Sequence, residues 1–215
     1  MPEVEALTRA AKKAMSRRRI LRAAKDVFFE DGFQAASLER VAAKAGVAKG
    51  TLYRHVDSKA ELYVIVLLHD AEGFARGLES ASTGENGAIE SLRAIAEFYR
   101  EYWLARPDYF RIFWAVRNQE LIGEIPPPLR SRLAEVIGAP LRILQRTLER
   151  GIASGEIVEC DSWVMANVLW RIGNACIEEH TAPESARIVD CAADQLFKVS
   201  LDLVLGGLSA RPLSG

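Results

Sequence analysis

The chain has 215 residues, 49% apolar and 27% charged, enough for one large or two small domains around a buried core. No apolar run nears the ~20 residues of a membrane span, and MPEVEALTRAAKKAM at the start lacks an apolar signal core, so a cytoplasmic location with no membrane partner is expected. Three cysteines without a CxxC pair argue against a disulfide framework or thiolate zinc site, and the net charge of −1 conceals +6 in residues 1–60 against −7 in the rest, a split that points one end toward a polyanion.

In chain order, residues 1–15 form a basic arm (Arg9, Lys12, Lys13) that reads either as an extra contact to that polyanion or as a disordered tail. Ser16–Asp31 sets Ile20, Ala23, Ala24, Val27 and Phe28 at helical spacing, and Gly32 then ends the helix. Ser37 caps a short second helix with an inner face of Leu38, Val41, Ala42 and Ala45. Gly46 makes a tight turn, and a third short helix follows over about 48–55. Ser58-Lys59-Ala60-Glu61 has capping-box spacing and opens a fourth helix reaching about Leu78. The polar stretch Ser80–Gly87 is a candidate boundary. Helices are expected beyond it near 88–105, 107–119, 127–154, 161–180 and 183–206. Pro107 and Pro183 suit first turns, Asp161 suits an N-cap, and Pro140 should kink the helix that contains it.

The second helix, the Gly46 turn and the third helix make a helix-turn-helix pattern. In such a pair the first helix braces on the sugar-phosphate backbone and the second enters the major groove. Val47 and Leu52 can pack inward, leaving Lys49, Thr51, Tyr53, Arg54 and His55 outside, while Gly50 leaves room for a phosphate or base edge. Gly32-Phe33, Ser37, Val41-Ala42, Ala45-Gly46-Val47, Gly50-Thr51-Leu52-Tyr53, His55 and Ser58-Lys59 together give residues 16–65 a form that resembles the tetracycline-repressor (TetR/AcrR) family of bacterial transcription regulators. The resemblance implies an all-α fold, with a helix-turn-helix DNA-binding domain at 16–60 and a helical ligand-binding and dimerisation domain at 61–215. It places Lys49, Thr51 and Tyr53 in or along the groove, His55 and Lys59 on phosphates, and Ser37 both at its cap and near a phosphate. Lys49, Gly50, Thr51 and Arg54 are the expected base readers, the other contacts setting position. Two residues depart from the family pattern: Ala48 stands where a capping Ser is usual, and Val56 where Phe is usual.

A regulator of this kind needs a second copy, because twofold symmetry sets two reading helices about one DNA turn apart on a palindromic operator. The last two helices are the expected homodimer interface, through Val189, Ala193, Leu196, Phe197, Ser200, Leu203 and Val204 on one and Met165, Leu169, Ile172 and Cys176 on the other, with Ala166 and Gly173 permitting close approach. A small-molecule effector, apolar or aromatic, is expected among Phe98, Tyr102, Tyr109, Phe113, Trp114, Trp163 and Trp170, with Arg117, Asn167, Arg171 and Asn174 as polar partners. No cofactor or metal is implied. The three histidines lie far apart, without HExxH spacing, and there is no P-loop, GxGxxG or GxSxG, so enzymatic turnover is not expected. The competing reading keeps DNA binding and drops small-molecule sensing, leaving a dimer that is constitutive or governed by a protein partner.

Overall fold

A computed structural model describes residues 2–84, 87–114, 125–181 and 192–210. The helices are α1 (Pro2–Ala35), α2 (Leu38–Ala45), α3 (Lys49–Leu52), α4 (Lys59–Ser82), α5 (Ala88–Leu104), α6 (Pro107–Trp114), α7 (Pro127–Ala153), α8 (Ser162–Thr181) and α9 (Ala193–Leu208). Among the described residues the sole β element is an isolated bridge between Ile157 and Ser209, so the fold is all-α. Two compact units form: residues 1–70 with 108–134, and residues 71–107 with 135–215. The chain of α4 runs from the first unit into the second.

In the first unit α1 is helical from Pro2, through what the sequence reads as an arm. Ala, Leu, Met, Glu, Arg and Lys make up most of the stretch before Gly32, and Pro2 is permissive in a first turn. Gly32 (φ 69°, ψ −179°) breaks the helical path, and a last turn carries on to Ala35. Ser37 accepts from the Arg40 backbone N–H (3.2 Å) and starts α2. Gly46 closes α2 in the left-handed conformation (φ 61°), its N–H donating to the Ala42 and Ala43 carbonyls. The turn is held from outside by Arg19, whose Nη2 donates to the Gly46 carbonyl at 3.0 Å. Leu38, Val41, Ala42, Ala45 and Leu52 are buried against Ile20, Ala24, Val27 and Phe28 of α1. Tyr63 of α4 joins this core edge-on to Phe28 and Phe33 (centroids 4.8 and 5.1 Å), its hydroxyl donating to the Ile112 carbonyl; burial drives its pKa upward.

The α3 helix is shorter than the sequence predicts: regular bonding stops at Leu52, and the turn to His55 is closed by His55 N–H to the Leu52 carbonyl (2.8 Å). Ala48 gives it no side-chain cap, as its methyl requires. Val56 is buried (4% exposed) despite being smaller than Phe. The Ser58 hydroxyl accepts from Glu61 N–H (3.0 Å) at the start of α4.

In the second unit the start of α5 is capped from far along the chain. Both Glu156 carboxylate oxygens accept, from Ala88 N–H (2.6 Å) and Ile89 N–H (2.9 Å). Asp161 caps α8 through Val164 N–H (2.9 Å). Pro140 is buried inside α7.

Candidate nucleic-acid interface and ligand cavity

The α2–α3 pair exposes most of the residues that the sequence assigns to a reading face. Ala48, Lys49, Gly50, Tyr53 and Arg54 are exposed, and Thr51 and His55 half-buried. Leu52 is fully buried, so the face is fixed by the one side chain of α3 that cannot leave the core. Its polar groups are held in place by their neighbours. Lys49 pairs with Glu39 and lies 5.8 Å from the Tyr53 ring. The Arg54 guanidinium donates to Thr51 Oγ1 at 2.9 Å. Lys49 keeps the Glu39 carboxyl below the usual carboxylate range, while the carboxylate holds the lysine pKa up.

His55 is pushed below its ordinary pKa, first by burial and then by the positive charges of Lys13, Arg17 and Arg54. Those charges belong to the basic segment of α1 and to the turn that follows α3. Lys59, predicted to hold a phosphate, donates to the Gln34 carbonyl (3.1 Å) and sits 4.5 Å from the Phe33 ring, which orients it at the start of α4. Arg40 and Lys44 behave differently: they pair with Glu30, Asp31 and Asp26 on the α1–α2 seam. Acidic residues thus neutralise cations on that seam. Sequence reading missed Glu39, whose only signal was its place in the first turn of α2.

The second unit contains an apolar cavity of about 60 Å³ walled by α4, α5, α7, α8 and α9. Leu92, Ile95 and Tyr99 face Leu144, Leu169, Gly173, Phe197 and Leu201 across it. The polar groups at its edge are satisfied internally. The Tyr99 hydroxyl donates to Asn174 Oδ1, and Asn174 Nδ2 donates to the Trp170 carbonyl (2.7 Å). Burial moves the Tyr99 pKa upward, so it stays a neutral donor.

Of the residues assigned to a ligand from sequence, Trp170 lines this cavity, and Asn174 stands behind it. Phe98 and Tyr102 instead pack on Phe74, at 6.1 and 4.8 Å between centroids. Tyr109 belongs to the first unit, where its hydroxyl donates to the Leu67 carbonyl (2.7 Å) and its ring meets Phe29; Phe113 is half-buried in that unit. Trp163 is 44% exposed, Arg171 is exposed, and Asn167 donates to the Trp163 carbonyl (2.9 Å). Arg117 and the Trp114 side chain lie outside the described residues.

The stripe that the sequence offers as a dimer face divides. Leu169, Ile172, Cys176, Phe197, Ser200 and Val204 line the cavity. The exposed apolar stripe on the same two helices is Trp163, Val164 and Val168 on α8 with Leu196, Val199 and Leu203 on α9, Leu203 being 71% exposed.

A short helix pair joined by a glycine turn, with Lys49 and Arg54 exposed on and after the second helix, is a helix-turn-helix arrangement. Comparison with known proteins agrees. Residues 20–65 match the family described as bacterial regulatory proteins, tetR family. The transcriptional activator FasR of Mycolicibacterium smegmatis is 35% identical over 86 residues, 40% of this chain and 39% of FasR. The transcriptional repressor NicS of Pseudomonas putida is 27% identical over 207 residues, 93% of this chain and 95% of NicS. Among solved structures, the transcriptional regulator FadR from Bacillus subtilis in complex with stearoyl-CoA superposes with a TM-score of 0.67 at 22% identity, covering 89% of this chain and 99% of that one. The tetR-family match covers the helix-turn-helix, residues 20–65, and the relatives that this chain resembles are transcription regulators. Among the described residues no helix is long and apolar enough to cross a membrane.

Proposed function

We propose that the protein is a homodimeric repressor that binds a palindromic operator and is released by a long, largely apolar ligand held in the cavity of the second unit. The observation that carries this reading is the double use of α8 and α9. One side of these helices walls an apolar cavity, and another exposes six large apolar side chains to water. An exposed apolar stripe on paired helices is costly unless a second copy covers it. The edge polar groups, already bonded to one another, ask nothing of a ligand, which favours a hydrocarbon chain. The stearoyl-CoA complex of FadR supports an acyl ligand of this kind.

The mechanism follows from size. A 60 Å³ cavity holds only about four to six water-sized groups. A long chain must therefore spread the helices that wall it. The ligand then binds more tightly to the spread conformer, and only that difference in affinity can shift the population away from the DNA-binding one. The α4 helix, continuous from Lys59 to Ser82, is the element that carries the change toward the reading heads.

The test is selection from a random duplex library at moderate salt, followed by titration of the recovered site with fatty acyl ligands. A palindromic site whose affinity falls with ligand is the expected result. Sequence-blind, salt-sensitive binding alone would refute the operator claim. A palindromic site indifferent to every acyl ligand would favour the dimer without small-molecule sensing.

A further inference from the structure

Beside the apolar cavity lies a shallow polar depression, too tight to hold a water molecule as it stands, edged by Arg100, Leu104, Ile177, His180 and Asp194. Phe197 and Cys176 line both, so two side chains separate the apolar space from one edged by the Arg100–Asp194 ion pair. The Arg100 guanidinium stands 5.5 Å from the Phe197 ring on the polar side of that partition and pairs with Asp194 in the first turn of α9.

We propose that Arg100 receives the carboxylate of a ligand whose hydrocarbon chain fills the cavity, and that Asp194 occupies its place when no ligand is bound. The proposal rests on the apolar-ligand reading above and adds the chemistry of the head group.

The two members of the ion pair are not equivalent. The Asp194 side chain is 65% exposed and that of Arg100 only 25%. Asp194 can return to water with little loss, whereas Arg100, charged at every accessible pH, keeps its need for an anion. A ligand carboxylate offers two oxygens in the geometry a guanidinium fork prefers. A second pair between the same helices, Arg93 Nη1 to Asp202 Oδ1 at 2.9 Å, keeps α9 docked on α5 while the first exchanges partners. Access needs the Phe197 ring to turn away from the partition, which places the chain on one side of it and the head on the other. The nearest anion of a coenzyme A thioester is many bonds from the acyl carbon, so a site directly beyond the partition favours the free acid.

Isothermal titration of the full-length protein with the C10, C12 and C16 fatty acids, their alcohols and their coenzyme A thioesters tests this. The acids should bind at least tenfold more tightly than alcohols of equal length. Arg100→Gln should bring the acid down to the alcohol's affinity and leave the alcohol unchanged. Asp194→Asn should tighten the acid severalfold, because the internal competitor is gone, again without effect on the alcohol. Equal affinity of acid and alcohol in the unaltered protein would overturn the head-group assignment and leave the apolar-ligand reading intact. Arg100→Gln weakening both alike would reduce Arg100 to a packing role. Thioester binding that depends on Arg100 more than the acid's does would overturn the choice of a free carboxylate. If no compound of any class bound, the ligand reading would fall and this proposal with it.

Discussion

Replacing Gly50 by alanine should stabilise the protein and weaken its hold on DNA. Gly50 lies in α3 without positive φ, and a methyl built there meets nothing within 4 Å. No strain and no clash therefore offset the helix preference of alanine, worth at most about 1 kcal/mol in a helix interior and less in a helix of four residues. For a chain of this size, 1 kcal/mol raises Tm by about 2–4 °C. The same methyl projects from the exposed face between Lys49 and Thr51, where the groove must approach. Loss of one base contact costs about 1–3 kcal/mol, roughly fivefold to a hundredfold in affinity. Thermal melting and fluorescence anisotropy on the selected operator read the two effects separately. A raised or unchanged Tm with operator affinity lowered at least fivefold is expected. Operator affinity equal to that of the unaltered protein would remove Gly50 from the DNA surface and refute the orientation of α3. A fall in Tm of several degrees would show that Gly50 serves packing instead.

Three further outcomes follow from the same geometry. Lys59→Met keeps much of the aliphatic stem over Phe33 and removes the charge, so the slope of log affinity against log salt should flatten by about 0.9 per subunit on every sequence; an unchanged slope would deny it a phosphate. His55 is depressed below 6.5 in the free protein, so as pH falls through that value the unfolded chain binds the proton first and stability drops. A phosphate reverses the sign: DNA binding takes up a proton, and operator affinity should rise between pH 7.5 and 6 more steeply than in His55→Gln, identical profiles counting against a phosphate at His55. Leu203→Glu and Trp163→Ala should halve the mass seen by analytical ultracentrifugation while barely moving the monomer's helical signal, since both side chains are exposed in the single chain; a dimer persisting in both would place the interface elsewhere.

What the sequence made legible is what is decided locally. Ser37, Ser58 and Asp161 act as caps within three residues of themselves, and Gly46 as a turn between adjacent helices, so spacing alone located them. The exposure pattern of α3 was legible because the helix has one buried side chain, Leu52, to orient it. The lining of the apolar cavity was not. Tyr109 stands in an aromatic run, yet its fate is set by carbonyls some forty residues earlier in the chain. Helix α8 is apolar around most of its circumference, with the cavity on one side and an exposed stripe on another, so periodicity could not assign Trp163 and Leu169 to opposite duties. The α5 cap was hidden for the same reason, since Glu156 lies 68 residues from the N–H it accepts.

That ambiguity in α8 and α9 has a thermodynamic consequence. Under the proposed mechanism the wall of the ligand site and the surface between the two copies are the same helices, so a ligand that spreads the cavity also shifts the outward stripe. The spacing of two reading heads along one operator depends on that stripe, and the ligand therefore acts on DNA without touching α3. Linkage makes the effect reciprocal: whatever factor the ligand takes from operator affinity, the operator must take from ligand affinity. Ligand titrated into the protein–operator complex should bind more weakly than to free protein by that same factor. An unequal pair of factors would mean that a further equilibrium, such as dimer dissociation, lies in the cycle. Equal factors would show that the two titrations close one thermodynamic cycle, whatever the number of conformational steps within it.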